Sequence, residues 1–247
     1  MEQYESIKSK ERVKELGEVF TPDGIVKDML DLDGVKEYSY DLDKTFLEPS
    51  CGTGNFLVEI VARKCKTAVS ESKIEGSEQV DIDKLKINLL KAVATVYGVD
   101  IMPDNVNESR NRIINDIVAK KFEETTENSI EEHAAFKDAV EYIVNRNIVW
   151  GNTLEWAMHP EFINDGQETI VPKRSKEYKL RKKGAFKGKS EDIADQSKDV
   201  AEMEFSTWEF KADMVTRTAY IARLDNSISA RYEEVPYTKI ESAKLLI

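Results

Sequence analysis

Residues 46–56 of the sequence, FLEPSCGTGNF, constrain the fold more than any other stretch. The apolar pair Phe46 and Leu47 is followed by an acid, and the glycines Gly52 and Gly54 come just before a second apolar run, FLVEIVA. This order predicts a short strand, a glycine turn and the start of a helix, as in an α/β nucleotide-binding unit. Glycines allow positive φ angles and a close approach to the backbone, and a helix start adds free N–H groups. We therefore expect a ligand to bind at this turn.

The residues around the turn narrow the class of ligand. A phosphate-binding loop would need Gly-Lys-Ser/Thr, and a dinucleotide fingerprint would need a third glycine where the sequence has Leu57. Glu48, at the end of the strand, would repel a pyrophosphate but can accept a hydrogen bond from the ammonium of an amino-acid-like ligand. These features favour S-adenosylmethionine over NAD or ATP. The alternative is a tight strand-to-helix turn that binds no ligand.

The rest of the amino-terminal part alternates helices with short strands. Thr21 and Pro22 are typical of the N-cap and the first position of a helix. Short strands are predicted at VDI, residues 99–101, and within NIVWGNTL, residues 147–154. Apolar residues at helical spacing predict further helices at 55–66, 82–96, 102–122 and 133–144. Residues 67–81 between them are predicted to be a loop, and residues 123–132 a loop or a helix cap. This alternation is typical of an α/β fold with a doubly wound, mostly parallel sheet. In this chain the fold can be incomplete at its carboxyl-terminal side.

Asp100 lies where the second parallel strand should end. In α/β nucleotide sites an acid at this position accepts hydrogen bonds from ribose hydroxyls. Its separation from the glycine turn exceeds the usual spacing of about 20 residues, and the inserted helix at 82–96 accounts for the excess. The alternative is an acid at the amino terminus of the helix that Pro103 begins.

The composition limits the class of protein. The chain has 247 residues, enough for one large α/β domain, and its net charge of −11 argues against a nonspecific nucleic-acid coat. Two cysteines and two histidines give neither a disulfide framework nor a metal-ligand cluster, which fits a reducing cytoplasm. The sequence has no signal peptide and no apolar run of membrane-spanning length, so we expect a cytoplasmic protein without a membrane partner.

Residues 172–190 contrast with the acidic remainder of the chain. They hold nine basic residues against one acid, a local charge of +8. A block of this kind can contact nucleic-acid phosphates, and the alternative is a solvated loop. The candidates for phosphate contacts are Lys173, Arg174, Arg181, Lys182 and Lys183.

Four stretches in a fixed order resemble the amino-terminal half of adenine-specific DNA methyltransferases of the restriction-modification type. They are VFTP at 19–22, LEPSCGTGNF at 47–56, YGVDI at 97–101 and GNTL at 151–154. The resemblance implies a Rossmann-like domain that binds S-adenosylmethionine over residues 1–155. It implies that residues 156–247 extend the same domain and carry the basic loop at 172–190, and that DNA is a partner.

The resemblance also implies a role for each matching residue. In that family the Thr-Pro turn and the glycine loop hold the methionine end of the cofactor. The acid after the second strand holds the ribose, and the turn after the third strand meets the adenine amine. The family often has Asp at the position of Asn152, whose amide oxygen still accepts a hydrogen bond. The implied cofactor-binding residues are Phe20, Thr21, Pro22, Glu48, Gly52, Gly54, Asp100, Ile101 and Asn152, and no metal ligand is implied.

The sequence departs from the family at the catalytic turn. The family holds the amine of an extruded adenine with Asn/Asp-Pro-Pro-Tyr/Phe, and this sequence has six prolines but no Pro-Pro pair. The stretch most like it is EVPY, Glu234–Tyr237, so the catalytic residues stay unknown. We expect cofactor binding without methyl transfer by this chain unless a second subunit supplies the turn. Two alternatives are a catalytically silent regulatory subunit and a methyltransferase for a small molecule or a protein.

Overall fold

A computed structural model of the chain describes residues 7–16, 18–154, 157–158, 173–175, 180–181, 192–193, 199–221 and 228–246. The first hundred residues form five helices and two strands within that description. In chain order they are α1 Lys10–Leu16, α2 Asp23–Leu30, α3 Lys36–Tyr40, β1 Phe46–Glu48, α4 Asn55–Glu71, α5 Ile82–Ala94 and β2 Val96–Asp100. The strand, glycine turn and helix predicted for residues 46–56 are therefore confirmed.

A long helical stretch follows β2 and leads to the third strand. It is unbroken from Pro103 to Thr126, as α6 Pro103–Asn111, a π-helical segment Arg112–Ala119 and α7 Lys120–Thr126. A 3₁₀ helix, Ile130–His133, and α8, Ala134–Asn147, then precede β3, Ile148–Asn152.

The carboxyl-terminal part consists of strands in the residues that the structure describes. They are β4 Ala157–Met158, β5 Lys173–Ser175, β6 Leu180–Arg181, β7 Asp192–Ile193, β8 Asp199–Glu202, β9 Glu204–Lys211, β10 Met214–Ile221, β11 Ile228–Arg231 and β12 Val235–Pro236. A 3₁₀ helix, Tyr237–Ser242, follows.

The main sheet has a parallel core. β1 and β3 both pair with β2 in parallel, in the registers Phe46↔Val96 and Gly98↔Ile148. The carboxyl ends of all three strands therefore lie at the same edge of the sheet. Beyond β3 the sheet continues through the antiparallel strands β4, β8 and β5, a continuation that the sequence analysis did not predict.

α4 packs closely against β2 in the middle of the sheet. Leu57 and Val61 on α4 have no exposed surface, and every residue of β2 is buried. A Cβ atom on Gly98 would lie 2.6 Å from Leu57 Cδ1, so glycine is required for the helix to approach the strand this closely. This packing fixes the turn between β1 and α4 relative to the end of β2.

Several element boundaries differ from the predictions. Thr21 is not an N-cap: α2 begins at Asp23, and Pro22 occupies the N-cap position without a side-chain hydrogen bond. α4 continues to Glu71 instead of ending near Lys66, because Ala68 and Val69 extend its apolar face. The second strand begins at Val96 and is thus longer than predicted.

β9 to β12 form a second, antiparallel arrangement that packs at the amino-terminal ends of the parallel strands. Trp208 Nε1 on β9 donates a hydrogen bond of 3.0 Å to Oδ1 of Asn147, the residue just before β3. The Tyr97 hydroxyl, near the start of β2, donates to the Ser206 carbonyl at 2.8 Å. The glycine turn lies at the opposite, carboxyl ends of the strands. No helix in the described ranges combines the length and apolar character needed to cross a membrane.

Candidate functional site

A cleft of about 210 Å³ opens at the carboxyl ends of β1 and β2. Its walls come from three segments: residues 18–21 before α2, the segment from the end of β1 to the start of α4, and residues 100–102 at the end of β2. Parallel α/β sheets commonly bind ligands at this edge, outside the carboxyl ends of the strands. The cleft is therefore the candidate site.

The glycine turn depends on both of its glycines. Gly52 and Gly54 have φ angles of +53° and +87°, a region that residues with a side chain rarely adopt. A Cβ on Gly52 would lie 3.0 Å from two ring atoms of Phe20, and a Cβ on Gly54 would lie 2.3 Å from Ser109 Oγ. The turn is thus pressed between the Phe20 ring and α6, with no room for a larger residue.

Asp100 connects this turn to the start of α6. Its Oδ2 accepts a hydrogen bond from the Gly52 backbone N–H at 2.8 Å. Its Oδ1 accepts from the Met102 backbone N–H at 2.9 Å and from Asn105 Nδ2 at 3.1 Å. The residue is 6% exposed. Asp100 therefore does hold the start of α6, as the alternative interpretation of its position expected. Its Oδ2 accepts only one hydrogen bond within the protein and keeps a lone pair for a ligand hydroxyl.

Two carboxyl groups in the cleft are held in surroundings that disfavour their charge. Burial raises the pKa of Asp100 above its ordinary value, and its three hydrogen bonds oppose that rise only in part. Burial also raises the pKa of Glu48, and the nearby charge of Asp100 raises it further. A ligand that brings positive charge or hydrogen-bond donors would relieve both groups.

Arg112 and Asn55 support the turn, and Asn55 also lines the cleft. Arg112, the first residue of the π-helical segment, donates from Nη1 to the Thr53 carbonyl and to Asn55 Oδ1, both at 2.7 Å. Asn55 Nδ2 in turn donates to the Thr21 carbonyl at 2.8 Å. The segment before α2 and the start of α4 are therefore held together at the cleft.

Glu18 is a cleft residue that the sequence analysis missed. Its Oε2 accepts hydrogen bonds from Arg12 Nη2 of α1 at 2.6 Å and from Asn105 Nδ2 at 3.0 Å. Its Oε1 is buried and has no hydrogen-bond partner among the described residues. The signal available in the sequence was its position directly before the VFTP stretch.

The structure brings most of the predicted cofactor-binding residues together. Their roles in binding stay predictions, since proximity does not test them. Those that line the cleft are Phe20, Thr21, Glu48, Gly52, Asp100 and Ile101.

Three predicted residues, Pro22, Gly54 and Asn152, do not line the cleft. Pro22 is at the start of α2, and Gly54 packs on α6. Asn152 Oδ1 accepts a hydrogen bond from its own loop, the Leu154 N–H at 3.0 Å. The turn after β3 nevertheless contacts the turn after β1, because Thr153 Oγ1 donates to the Pro49 carbonyl at 2.5 Å.

The remaining candidates are not brought to the cleft. In the EVPY stretch, Glu234 precedes β12, Val235 of β12 pairs with Val215 in the carboxyl-terminal strands, and Tyr237 begins the following 3₁₀ helix. No arrangement of three or more His, Cys, Asp or Glu suited to a metal ion occurs in the described part of the chain. Cys51 lines the cleft, but burial raises the pKa of its thiol well above the ordinary value, so it is neutral there.

The structure describes three of the five predicted phosphate-contact residues, Lys173, Arg174 and Arg181. Lys173 and Arg174 belong to β5 and Arg181 to β6, so short strands occur within the basic segment. Lys182 and Lys183 lie outside the described residues.

Comparison with known families gives a match that covers most of the chain. A family model described as N-6 DNA Methylase matches residues 2–182, a range that contains the whole cleft. Comparisons with curated proteins and with solved structures found no match.

Proposed function

Because the chain belongs to the N-6 DNA methylase family, we propose that its cleft binds S-adenosylmethionine and that the protein serves methylation of the exocyclic amine of adenine in DNA. The observation that carries this proposal is the meeting of Glu48, Gly52 and Asp100 in one cleft at the carboxyl ends of two parallel strands. The resemblance carried by the VFTP, GTG and YGVDI stretches agrees with the family match.

The groups in the cleft fit this cofactor. S-adenosylmethionine carries a sulfonium and an ammonium, both positive, and a ribose with two hydroxyl donors. The cleft offers the carboxylates of Glu18, Glu48 and Asp100, and the first of these has a buried oxygen without a partner among the described residues. A pyrophosphate cofactor would meet the same carboxylates with like charge, so the acids favour a cationic nucleoside over a dinucleotide.

Each residue then has a distinct role in holding the cofactor. Asp100 accepts from a ribose hydroxyl through the free lone pair of Oδ2, while its other bonds keep the glycine turn in place. Glu48 accepts from the ammonium, and the Phe20 ring packs over Gly52 beside the ligand. The cofactor supplies an electrophilic methyl group, and the chain fixes the direction in which that group points.

Calorimetric titration of the purified chain with S-adenosylmethionine tests the cofactor proposal. We expect binding by the wild type, and Glu48→Gln should weaken it about 3- to 30-fold because a partly exposed, charge-assisted hydrogen bond is lost. Glu75→Gln removes the same charge from an exposed turn and serves as the matched control, with unchanged affinity. Absence of binding by the wild type would reject the proposal.

The groups that hold the target adenine are proposed to come from a second polypeptide. The supporting feature is the free edge of β1, which pairs with β2 alone among the described strands and leaves Leu47 47% exposed. A strand added to this edge would end beside Glu48, at the mouth of the cleft. Unpaired strand edges are common sites at which another chain adds a strand.

Methyl transfer to DNA from a labelled donor tests this second part. The chain alone should bind the cofactor yet transfer no label to adenine, and transfer should appear when the missing polypeptide is added. Transfer by the chain alone would show that the second polypeptide is unnecessary, while leaving the cofactor proposal intact.

A further inference from the structure

Glu18 holds the one cleft carboxylate oxygen that is buried without a partner in the described part of the chain. The side chain is 10% exposed, and Oε1 makes no hydrogen bond, although Oε2 makes two. Leaving a buried acceptor unpaired is costly, most of all when it carries charge. Because Glu18 lines the cleft, a ligand donor is the natural partner for this oxygen.

A single amide joins Glu18 to Asp100. Asn105 Nδ2 donates both to Glu18 Oε2 at 3.0 Å and to Asp100 Oδ1 at 3.1 Å. Asn105 is itself 1% exposed, so this arrangement is fixed within the protein. Each carboxylate therefore turns one oxygen to the shared amide, and the other oxygen, Glu18 Oε1 or Asp100 Oδ2, is not bonded to that amide. Glu18 Oε1 is buried, so a ligand in the cleft reaches it only with a small movement of the neighbouring atoms.

We propose that Glu18 Oε1 and Asp100 Oδ2 accept the two neighbouring hydroxyls of a ribose, one hydroxyl on each carboxylate. The inference rests on the proposed function and assigns a specificity-determining residue to the same site. Two donors on adjacent carbon atoms match two acceptors that are held side by side by one amide. The other strong donor of the ligand, the ammonium, has its acceptor in Glu48 at the end of β1.

One rearrangement within the protein competes with this assignment. Arg12 Nε is also buried without a partner among the described residues, and Arg12 already bonds Glu18 through Nη2. A small shift of the guanidinium would pair Nε with Oε1 and leave no acceptor for the ligand. The experiment has to separate a contact with ribose from this purely internal ion pair.

The test uses 5′-methylthioadenosine, which keeps the adenine and both ribose hydroxyls but lacks the ammonium and the sulfonium. Dissociation constants are measured for the wild type and for Glu18→Gln, with this compound and with its 2′-deoxy and 3′-deoxy analogues. Glu18→Gln should weaken binding of the parent compound about 10-fold or more, the scale of one charged hydrogen bond. One of the two analogues lacks the hydroxyl that Glu18 holds. The wild type and Glu18→Gln should bind that analogue with almost the same dissociation constant.

This double comparison cancels any general damage to the fold, because a structural loss would weaken all three compounds by the same factor. The inference would be overturned if the dissociation constants of variant and wild type had the same ratio for all three compounds. An unchanged affinity of Glu18→Gln for the parent compound would also overturn it. Glu75→Gln should leave every affinity unchanged. If the wild type binds neither S-adenosylmethionine nor 5′-methylthioadenosine, the proposed function itself is rejected.

Discussion

Gly54→Ala is expected to lower the free energy of unfolding by about 3 kcal/mol or more, the sum of two separate costs. An alanine would have to adopt a φ of +87°, and its Cβ would lie 2.3 Å from Ser109 Oγ and 3.3 Å from the Ser109 Cα. Ser109 is fully buried in α6, so it has little freedom to move away. Denaturant unfolding of the variant and the wild type measures the loss, with the same dependence of the free energy on denaturant concentration expected for both.

Two variants separate the causes. Gly24→Ala lies in α2, where an added Cβ meets no atom within 4 Å, and it should stabilise the chain by about 0.5–1 kcal/mol because alanine favours helix. Combining Gly54→Ala with Ser109→Gly removes the overlap with the serine side chain and keeps the backbone strain. Gly54→Ala should therefore lower the free energy of unfolding less when it is introduced into Ser109→Gly than when it is introduced into the wild type. Wild-type stability in Gly54→Ala would contradict the close packing of the turn on α6.

Asp100→Ala is expected to cost about 3 kcal/mol or more in stability, apart from any effect on ligand binding. The substitution leaves two donors without their acceptor, the backbone N–H groups of Gly52 and Met102, and it takes from the Asn105 amide one of its two acceptors, the other being Glu18 Oε2. Each unsatisfied buried donor costs about 1–3 kcal/mol. Denaturant unfolding measures this loss, and calorimetry under conditions where the variant is still folded measures its affinity for the cofactor.

Asp81→Ala is the matched control for Asp100→Ala. Asp81 also accepts two backbone N–H bonds, from Asp83 and Lys84 at the start of α5, but at an exposed position. Its loss should cost about 1 kcal/mol, the usual value of a helix cap, and should leave ligand affinity unchanged. Equal losses in the two variants would mean that the buried bonds of Asp100 are no stronger than an ordinary cap.

The local features of the site were predictable from the sequence. A strand, a two-glycine turn and a helix start are encoded by adjacent residues, and the structure confirms them at 46–56. The acid at the end of the second strand was also predictable, because Asp100 directly follows an apolar run and precedes Pro103. The parallel pairing of β1, β2 and β3 follows from their alternation with helices.

The connections between segments were not predictable. Glu18 and Asn105 are hydrogen-bonded although 87 positions separate them, and no periodicity records such a pair. Arg112 contacts Thr53 across 59 positions, and the π-helical segment that presents it has the same apolar spacing as an ordinary helix. Strands of two residues, such as Ala157–Met158, are too short for an alternating pattern to be recognised.

The hydrogen bond from the Gly52 amide to Asp100 has a consequence for hydrogen exchange. Amides in glycine turns normally exchange with solvent deuterium quickly, because nothing beyond the turn protects them. Here the acceptor lies 48 positions away, on a buried carboxylate at the end of the neighbouring strand. Exchange at Gly52 therefore requires the turn to separate from the end of β2, because the bond to Asp100 must break. A single turn amide thus reports, in any variant or solution condition, whether the turn is still docked on the neighbouring strand.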